Sequence, residues 1–285
     1  MKKILAVSGG VDSMVMLDLM VRKFPASELV VASFDHGTRE SSGADVDFVA
    51  QIASALQLKF YRGEARLGAD ASEEVAREKR YEFLREVAFL EKGEIYTAHH
   101  LDDLVESVAI NLIRGTGWRG LAVLNAPGVR RPLIDGTLGR VFDKKAILAY
   151  AGERGVVFRQ DPTNSSEAYL RNRVRERVLA LPLKTRQEIY ELWRKQVKIS
   201  REVEEILEAV VPEDLRFERE WFEGLSDDVA LEVLRAGLSR VGVSATRPQM
   251  LDFLRAIRMY GPGKKFNLPG DKLVKINRKD FVLEV

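Results

Sequence analysis

The chain contains no cysteine, which removes disulfides, thiolate metal sites and thiol or persulfide chemistry from anything its 285 residues do. It also lacks any apolar run approaching the roughly 18–20 residues that cross a bilayer. Met1-Lys2-Lys3-Ile4 leads straight into a strand-like segment with no signal peptide visible, so the expectation is a cytoplasmic protein with no membrane partner. Net charge is nearly absent at +2, which neither favours nor excludes nucleic acid. No internal repeat and no low-complexity segment is visible. What is present is ordinary globular material, 46% hydrophobic and 31% charged, in a length suited to one large and one smaller domain.

Two further absences narrow the most informative segment, Ser8-Gly9-Gly10-Val11-Asp12-Ser13. It follows the apolar run Lys3–Val7 and precedes Met14–Met20, so it reads as strand, glycine turn and helix start. Glycines let the backbone approach a ligand, and the unpaired amides and positive dipole end of a helix start suit an anion. No lysine follows the glycines, which excludes the Gly-x-x-x-x-Gly-Lys-Ser/Thr phosphate loop. No third glycine stands where the dinucleotide fingerprint needs one. What remains resembles the loop of the PP-loop pyrophosphatases, which cleave ATP between its α- and β-phosphates; the alternative is a plain turn joining a strand to a helix.

A βα alternation fills the first half. Strands are expected at Ile4–Val7, Leu29–Phe34, Lys59–Tyr61 and Ile95–Ala98, and helices at Asp12–Phe24, Ala44–Leu56 and Glu73–Leu90. Such alternation implies crossover units and a mostly parallel sheet, with ligands beyond the carboxyl ends of its strands. Further helices are expected at Lys144–Arg154, Tyr169–Leu179 and Lys184–Val210. Pro212 marks a boundary; beyond it Trp221–Val241 and Arg247–Met259 read as helices, and Lys264–Leu268 with Lys272–Val285 as two or three short antiparallel strands. The expected domains are 1–183, a linker helix over 184–212, and a small mixed α/β domain over 213–285.

Four more clusters carry chemistry. Asp35-His36 comes off the second strand, where a carboxylate can hold Mg²⁺ against phosphates, orient an attacking group, or simply close an Asx turn. His99-His100-Leu101-Asp102-Asp103 with Glu106 follows the fourth strand. Asp102 and Glu106 share a helix face at a repulsive spacing, which fits a cation between them (Mg²⁺ or an ammonium group) or a merely acidic helix start. The two histidines lack a Cys or a third suitably spaced His, which argues against zinc. Arg114 and Arg119 flank Gly115 and Gly117 at the end of that helix; an arginine near bound ATP can neutralise charge on the α-phosphate, or either can satisfy the helix terminus. Last, Asp161-Pro162-Thr163-Asn164 precedes Arg171, Arg173 and Arg175, suited to RNA phosphates or to structural ion pairs. They end a basic stretch that begins at Arg130 and includes Lys144 and Arg159.

Taken in order, these residues resemble the tRNA(Ile)-lysidine synthetase family: Ser8–Ser13, Asp35-His36-Gly37 with Arg39, His99-His100 with Asp102-Asp103 and Glu106, Arg114-Gly115-Thr116-Gly117 with Arg119-Gly120-Leu121, and Asp161–Asn164 with Arg171-Asn172-Arg173. The likeness is strong over residues 1 to 180 and loose beyond. It implies an α/β fold, a parallel-sheet, Rossmann-like PP-loop domain followed by a small α+β C-terminal domain for tRNA recognition. It further implies ATP and Mg²⁺, with the C2 oxygen of a wobble cytidine in the isoleucine tRNA bearing CAU adenylated, and free lysine then displacing AMP. On that resemblance Ser8, Gly9, Gly10, Val11, Asp12 and Ser13 bind ATP; Asp35 and Asp102 serve the metal; Asp35, Asp102, Glu106 and Arg114 are catalytic; and Arg171, Arg173 and Arg175 contact tRNA. Many members carry a further C-terminal domain; over these 285 residues only one small domain is expected after the catalytic part. A homodimer is left open.

Overall fold

The protein is described by a computed structural model covering residues 1–37, 42–65, 73–159, 169–270 and 272–283; for residues 42, 73 and 169–172 only the backbone is described. The expectations for Arg39, for 161–164 and for the Arg171 side chain lie outside the described residues. The chain divides into two compact units, Met1–Val197 and Lys198–Val285.

In the first unit β1 (Lys2–Ala6), β2 (Leu29–Asp35), β3 (Lys59–Glu64), β4 (Gly93–Tyr96) and β5 (Val129–Arg130) form one sheet in the order β3-β2-β1-β4-β5, every pairing parallel. The helices are α1 (Val11–Lys23), α2 (Ser42–Ala55), α3 (Glu73–Glu91), α4 (Leu101–Ile113), α5 (Lys144–Arg154), α6 (Tyr169–Ala180) and α7 (Leu183–Val210), whose last turns belong to the second unit. β5 was not expected: two residues carry no periodicity, and the strand exists because Val129 pairs with Ile95.

Successive strand residues point to opposite faces, and both faces are covered, so the strands read as continuous apolar runs. Ile4, Val30, Ala32 and Ile95 pack on Leu84 and Val87 of α3. Leu5, Leu29 and Val31 pack on the other side, against Met14, Leu17 and Met20 of α1, Val49 and Ala53 of α2, and Ile147 and Ala151 of α5. Each such aliphatic side chain contributes about 1.5–3 kcal/mol on burial. α4 is held by Leu101, Leu104, Val105 and Ile110, which meet Val174 and Val178 of α6 and Tyr190, Trp193 and Val197 of α7.

The chain winds from β1 outward to β3, then returns to place β4 on the other side of β1. Strand order therefore reverses between β1 and β4, and the crevice beyond their carboxyl ends is where such sheets take ligands.

The second unit holds β6 (Arg216–Glu218), α8 (Arg219–Glu223), α9 (Asp227–Arg240), α10 (Arg247–Met259), β7 (Lys264–Leu268), β8 (Lys272–Ile276) and β9 (Asp280–Val282), its antiparallel sheet ordered β6-β9-β8-β7. The single helix expected over Trp221–Val241 is two, because Gly224 ends α8 and the chain is extended at Ser226 before α9 starts with Asp227 and Asp228 in its first turn. β6 adds a strand to those expected in the tail. Phe217, Phe222, Phe253 and Phe281 centre the core, with Phe217 stacked on Phe281 at 5.2 Å. Among the described residues no helix is long and apolar enough to cross a membrane.

Candidate functional site

The glycine loop sits at the carboxyl end of β1. Gly9 has φ +86°, a region open to glycine, and Gly10 caps α1 without a side chain to offer. The first-turn amides of α1 are thereby left for an anion. The loop is set by its own serines: the Ser8 amide donates to Ser13 Oγ at 3.1 Å, and Ser13 Oγ donates to the Gly10 carbonyl at 2.9 Å. The Arg159 amide donates to the Gly9 carbonyl at 2.9 Å, bracing the loop from a residue 150 positions later.

A cleft of about 690 Å³ opens over this loop. Ser8, Gly10, Val11, Asp12 and Ser13 line it from the loop, Asp35 and His36 from the end of β2, Thr97 and His99 from beyond β4, and Asp103 from the first turn of α4. Arg80 of α3, Lys144 of α5 and Arg159 complete it. The expected placement of Asp35, His36 and the glycine loop on one rim is what the structure has. Lys144, Arg159 and Arg80 were not singled out as site residues. Their only sequence signal is a basic composition, and Lys144 Nζ reaches Asp12 Oδ1 at 2.6 Å across 132 positions that no local motif spans. Arg159 is further held by Asp45, at 2.7 Å from its Nε.

Electrostatics divide the two adjacent histidines. His99 is held neutral, with a pKa of about 3, first by burial and then by the guanidinium groups of Arg131, Arg77 and Arg80. Its Nδ1 lies 2.9 Å from Thr97 Oγ1. Burial also opposes charge on His100, but hydrogen bonding with Asp102 and the charges of Asp103 and Asp12 outweigh it and raise its pKa. His100 caps α4: its Nδ1 accepts from the Asp102 amide, and Asp103 Oδ2 accepts from the His100 amide at 2.9 Å. Burial and the Arg80 charge lower the pKa of His36.

Several expected site residues are placed otherwise. Asp102 does not line the cleft: Oδ1 takes a hydrogen bond from Arg186 of α7, and Oδ2 accepts the Lys144 amide at 2.7 Å. Burial raises its pKa, but His100, that amide and Arg186 prevail and hold it at about 2. Glu106 is 5% exposed and pairs with Arg175 Nε at 3.3 Å. The charges balancing these carboxylates are thus guanidinium groups of the chain itself, and Arg175 is engaged in a structural ion pair. Arg173 is exposed. Arg114 is not at the cleft rim. It caps the far end of α4, 13 residues long, about 16 Å along the helix from Asp103 in the first turn. Gly115 follows with φ +68° and ends the helix.

Among the described residues no three His, Asp or Glu side chains converge as a cage for a metal. Magnesium does not need one, since it is usually held by one or two carboxylates together with substrate phosphates and water. Asp12 and Asp35 line the phosphate cleft and fit that role; Asp35 Oδ1 also accepts the Gly37 amide at 2.8 Å, closing the Asx turn. Asp102, saturated by Arg186 and the Lys144 amide, does not fit it.

A bare-glycine phosphate loop at a strand-order reversal, opening into a cleft lined by carboxylates and cations, defines an α/β domain of the nucleotide-binding class. The chain belongs to the PP-loop domain family, whose model matches residues 1–181. Within that family it is similar to tRNA(Ile)-lysidine synthases. It is 38% identical over 186 residues to the one from Enterococcus faecalis (62% of this chain, 40% of the relative). To that from Thermotoga maritima it is 37% identical over 190 residues (62% and 44%), and to that from Thermus thermophilus 40% over 181 residues (60% and 34%). The matched part spans about 40% of the length of these curated relatives. Among solved structures, the U34-tRNA thiolase NcsA from Methanococcus maripaludis has the same fold, with a TM-score of 0.57 over 69% of this chain and 72% of that one at 18% identity.

Proposed function

We propose that the protein ligates free lysine to C2 of the wobble cytidine in the isoleucine tRNA with anticodon CAU, in the cytoplasm, at the expense of ATP. The observation that carries the reading is the Ser8–Ser13 loop at the head of a cleft lined by Asp35, Asp103 and Lys144, within the segment similar to lysidine synthases. In the first step the cytosine O2 attacks the α-phosphorus of ATP and pyrophosphate leaves. In the second the lysine ε-amine, having lost a proton, attacks C2 and AMP leaves. A bound magnesium ion would neutralise phosphate charge, with Asp12 and Asp35 as its protein carboxylates.

The chain's own groups divide the remaining work. The α1 amides and Ser8 hold the pyrophosphate portion, and Lys144 and Arg159 supply positive charge beside it. Preorganised charge of that kind is worth several kcal/mol where phosphate charge develops. Asp103, which lines the cleft, takes the lysine ammonium group in place of Asp102; Glu106, three positions on along α4, supports it together with Arg175. Asp102 positions α4 through Arg186.

The second unit is assigned to tRNA. In its sheet Lys265 stands directly opposite Lys275, both exposed. Like charges facing each other across strands are destabilising, and a phosphate backbone relieves the repulsion. The active species is a monomer or a homodimer, which sedimentation distinguishes.

The test is release of AMP and pyrophosphate with ATP, magnesium and the CAU isoleucine tRNA, with lysine compared against other amines. The reading expects pyrophosphate release to require the tRNA and AMP release to require lysine. AMP release driven equally well by another amine would overturn it.

A further inference from the structure

Between Glu106 and Asp135 the chain has no carboxylate at all, although nearly a third of its residues are charged; of its four arginines there, Arg130 pairs with Glu94 and Arg131 is buried, while Arg114 and Arg119 stand near the end of α4. The middle of this stretch leaves α4 and forms a tight loop. Leu112 and Ile113 are 58% and 61% exposed at its start, and Trp118 is 37% exposed at its far side. An indole and two large aliphatic side chains in water, with no acid nearby in sequence, are costly for a surface of no use.

The loop is built rather than loose. Asn111 Nδ2 donates to the Gly120 carbonyl at 2.7 Å, and Thr116 Oγ1 donates to the Asn111 carbonyl at 2.9 Å. A Cβ on Gly120 would stand 2.2 Å from Thr116 Oγ1, so only glycine allows this closure. Trp118 is thereby fixed at the surface, and the Arg119 guanidinium lies 4.6 Å from its ring centroid. An aromatic face backed by a stacked guanidinium, with Arg114 close by in a sequence run that holds no acid of its own, matches how proteins hold unpaired bases: stacking on the ring, with cations for the phosphates.

We infer that Trp118, with Arg114 and Arg119, is a stacking platform for an unpaired base of the RNA whose neighbouring nucleotide occupies the cleft. The inference rests on the proposed tRNA substrate and adds where the rest of the loop lies. α4 is the ruler: its first turn faces the cleft through Asp103, and its other end carries the platform about 16 Å away. A single-stranded loop feeding one base into the cleft extends along that helix and meets the indole. An apolar protein partner fits less well, since it would not call for two arginines in a sequence run without acids.

The experiment uses the full chain and an RNA hairpin carrying the CAU anticodon loop. Tryptophan fluorescence is titrated with the hairpin for the wild type, Trp118→Phe, Trp118→Ala and Gly120→Ala, with ATP binding measured in parallel. Stacking predicts quenching in the wild type that Trp118→Phe lacks. It predicts hairpin affinity about 5- to 150-fold weaker in Trp118→Ala, from the usual cost of losing one base–aromatic stack. Trp118→Phe should retain most of the affinity, Gly120→Ala should lose it with the indole still present, and ATP affinity should stay unchanged throughout. Unaltered hairpin affinity in Trp118→Ala, with no quenching in a wild type that still releases pyrophosphate on tRNA, overturns the platform and leaves the proposed function standing. Quenching and weakened binding in a protein that never releases pyrophosphate would overturn the function and keep the platform.

Discussion

Arg186 of α7 reaches into the first turn of α4 and donates to Asp102, while its other terminal nitrogen lies 3.4 Å from Asp143 Oδ2. All three side chains are at most 12% exposed. One guanidinium therefore ties α7 to the caps of both α4 and α5, the two helices that present Asp103 and Lys144 to the cleft. Arg186→Met should cost roughly 3–5 kcal/mol, because it strands two buried carboxylates rather than one exposed pair. Urea unfolding measures this, and the double variant with Asp102→Asn should recover part of the loss. A cost below about 1 kcal/mol, the range of surface pairs, would show the triad to be incidental.

Acid should act through the two histidines with opposite signs. His99 has its folded pKa lowered to about 3 by burial and neighbouring arginines. The unfolded chain thus binds the extra proton, and stability present above about pH 6.5 is lost as pH falls. At pH 5 the loss is about 2 kcal/mol relative to neutral pH, from 1.36 kcal/mol per pH unit. His99→Gln should flatten stability between pH 7 and 5 by that amount. His100, whose pKa is raised, contributes stability at low pH that fades as pH rises through its folded pKa, so His100→Gln should steepen the acid loss. Equal slopes in all three proteins would contradict both assignments.

Gly9→Ala isolates the backbone requirement of the phosphate loop. A Cβ there meets nothing closer than 3.6 Å, so the penalty comes from φ +86° alone. It should be about 1–2 kcal/mol, small for the fold. ATP affinity should fall at least about tenfold, because a relaxed loop misdirects the α1 amides. Calorimetric ATP titration separates the two effects, and unchanged ATP affinity would remove the loop from the nucleotide site.

Asp102 and Asp103 should separate in kinetics. Asp103→Asn should raise the KM for lysine by about 10- to 100-fold, the loss of one charge-assisted contact, with ATP affinity little changed and the α4 cap kept, because the Asn oxygen can still accept the His100 amide. Asp102→Asn should instead weaken the fold and shift ATP and lysine parameters together. The reverse pattern would restore Asp102 to the lysine site.

Much of the first unit was legible because its signals are local. Ser8–Ser13, the apolar strands and the helix periods lie within short windows, and crossover rules then put Asp35 and His36 on the rim of the glycine loop. Long-range pairings were not legible. The spacing of Asp102 and Glu106 suggested one Mg²⁺ or ammonium between them; each carboxylate instead meets its own arginine, Arg186 and Arg175, 84 and 69 positions away, which nothing in sequence says. Arg114 does not line the cleft, because sharing a motif-bearing helix with Asp103 is no guarantee of proximity when the helix is about 20 Å long. β5 and β6 escaped because strands of two and three residues take their existence from their partners.

The central claim is tested most directly by digesting the CAU isoleucine tRNA to nucleosides after incubation with the protein, ATP, magnesium and isotopically labelled lysine, followed by mass spectrometry. The account predicts a labelled nucleoside heavier than cytidine by lysine less water, formed in equal amount with AMP, and formed far more slowly at limiting ATP when Lys144→Met or Gly9→Ala replaces the wild type. Unmodified cytidine in a reaction that still consumes ATP, or a modified base lacking the lysine label, would contradict it.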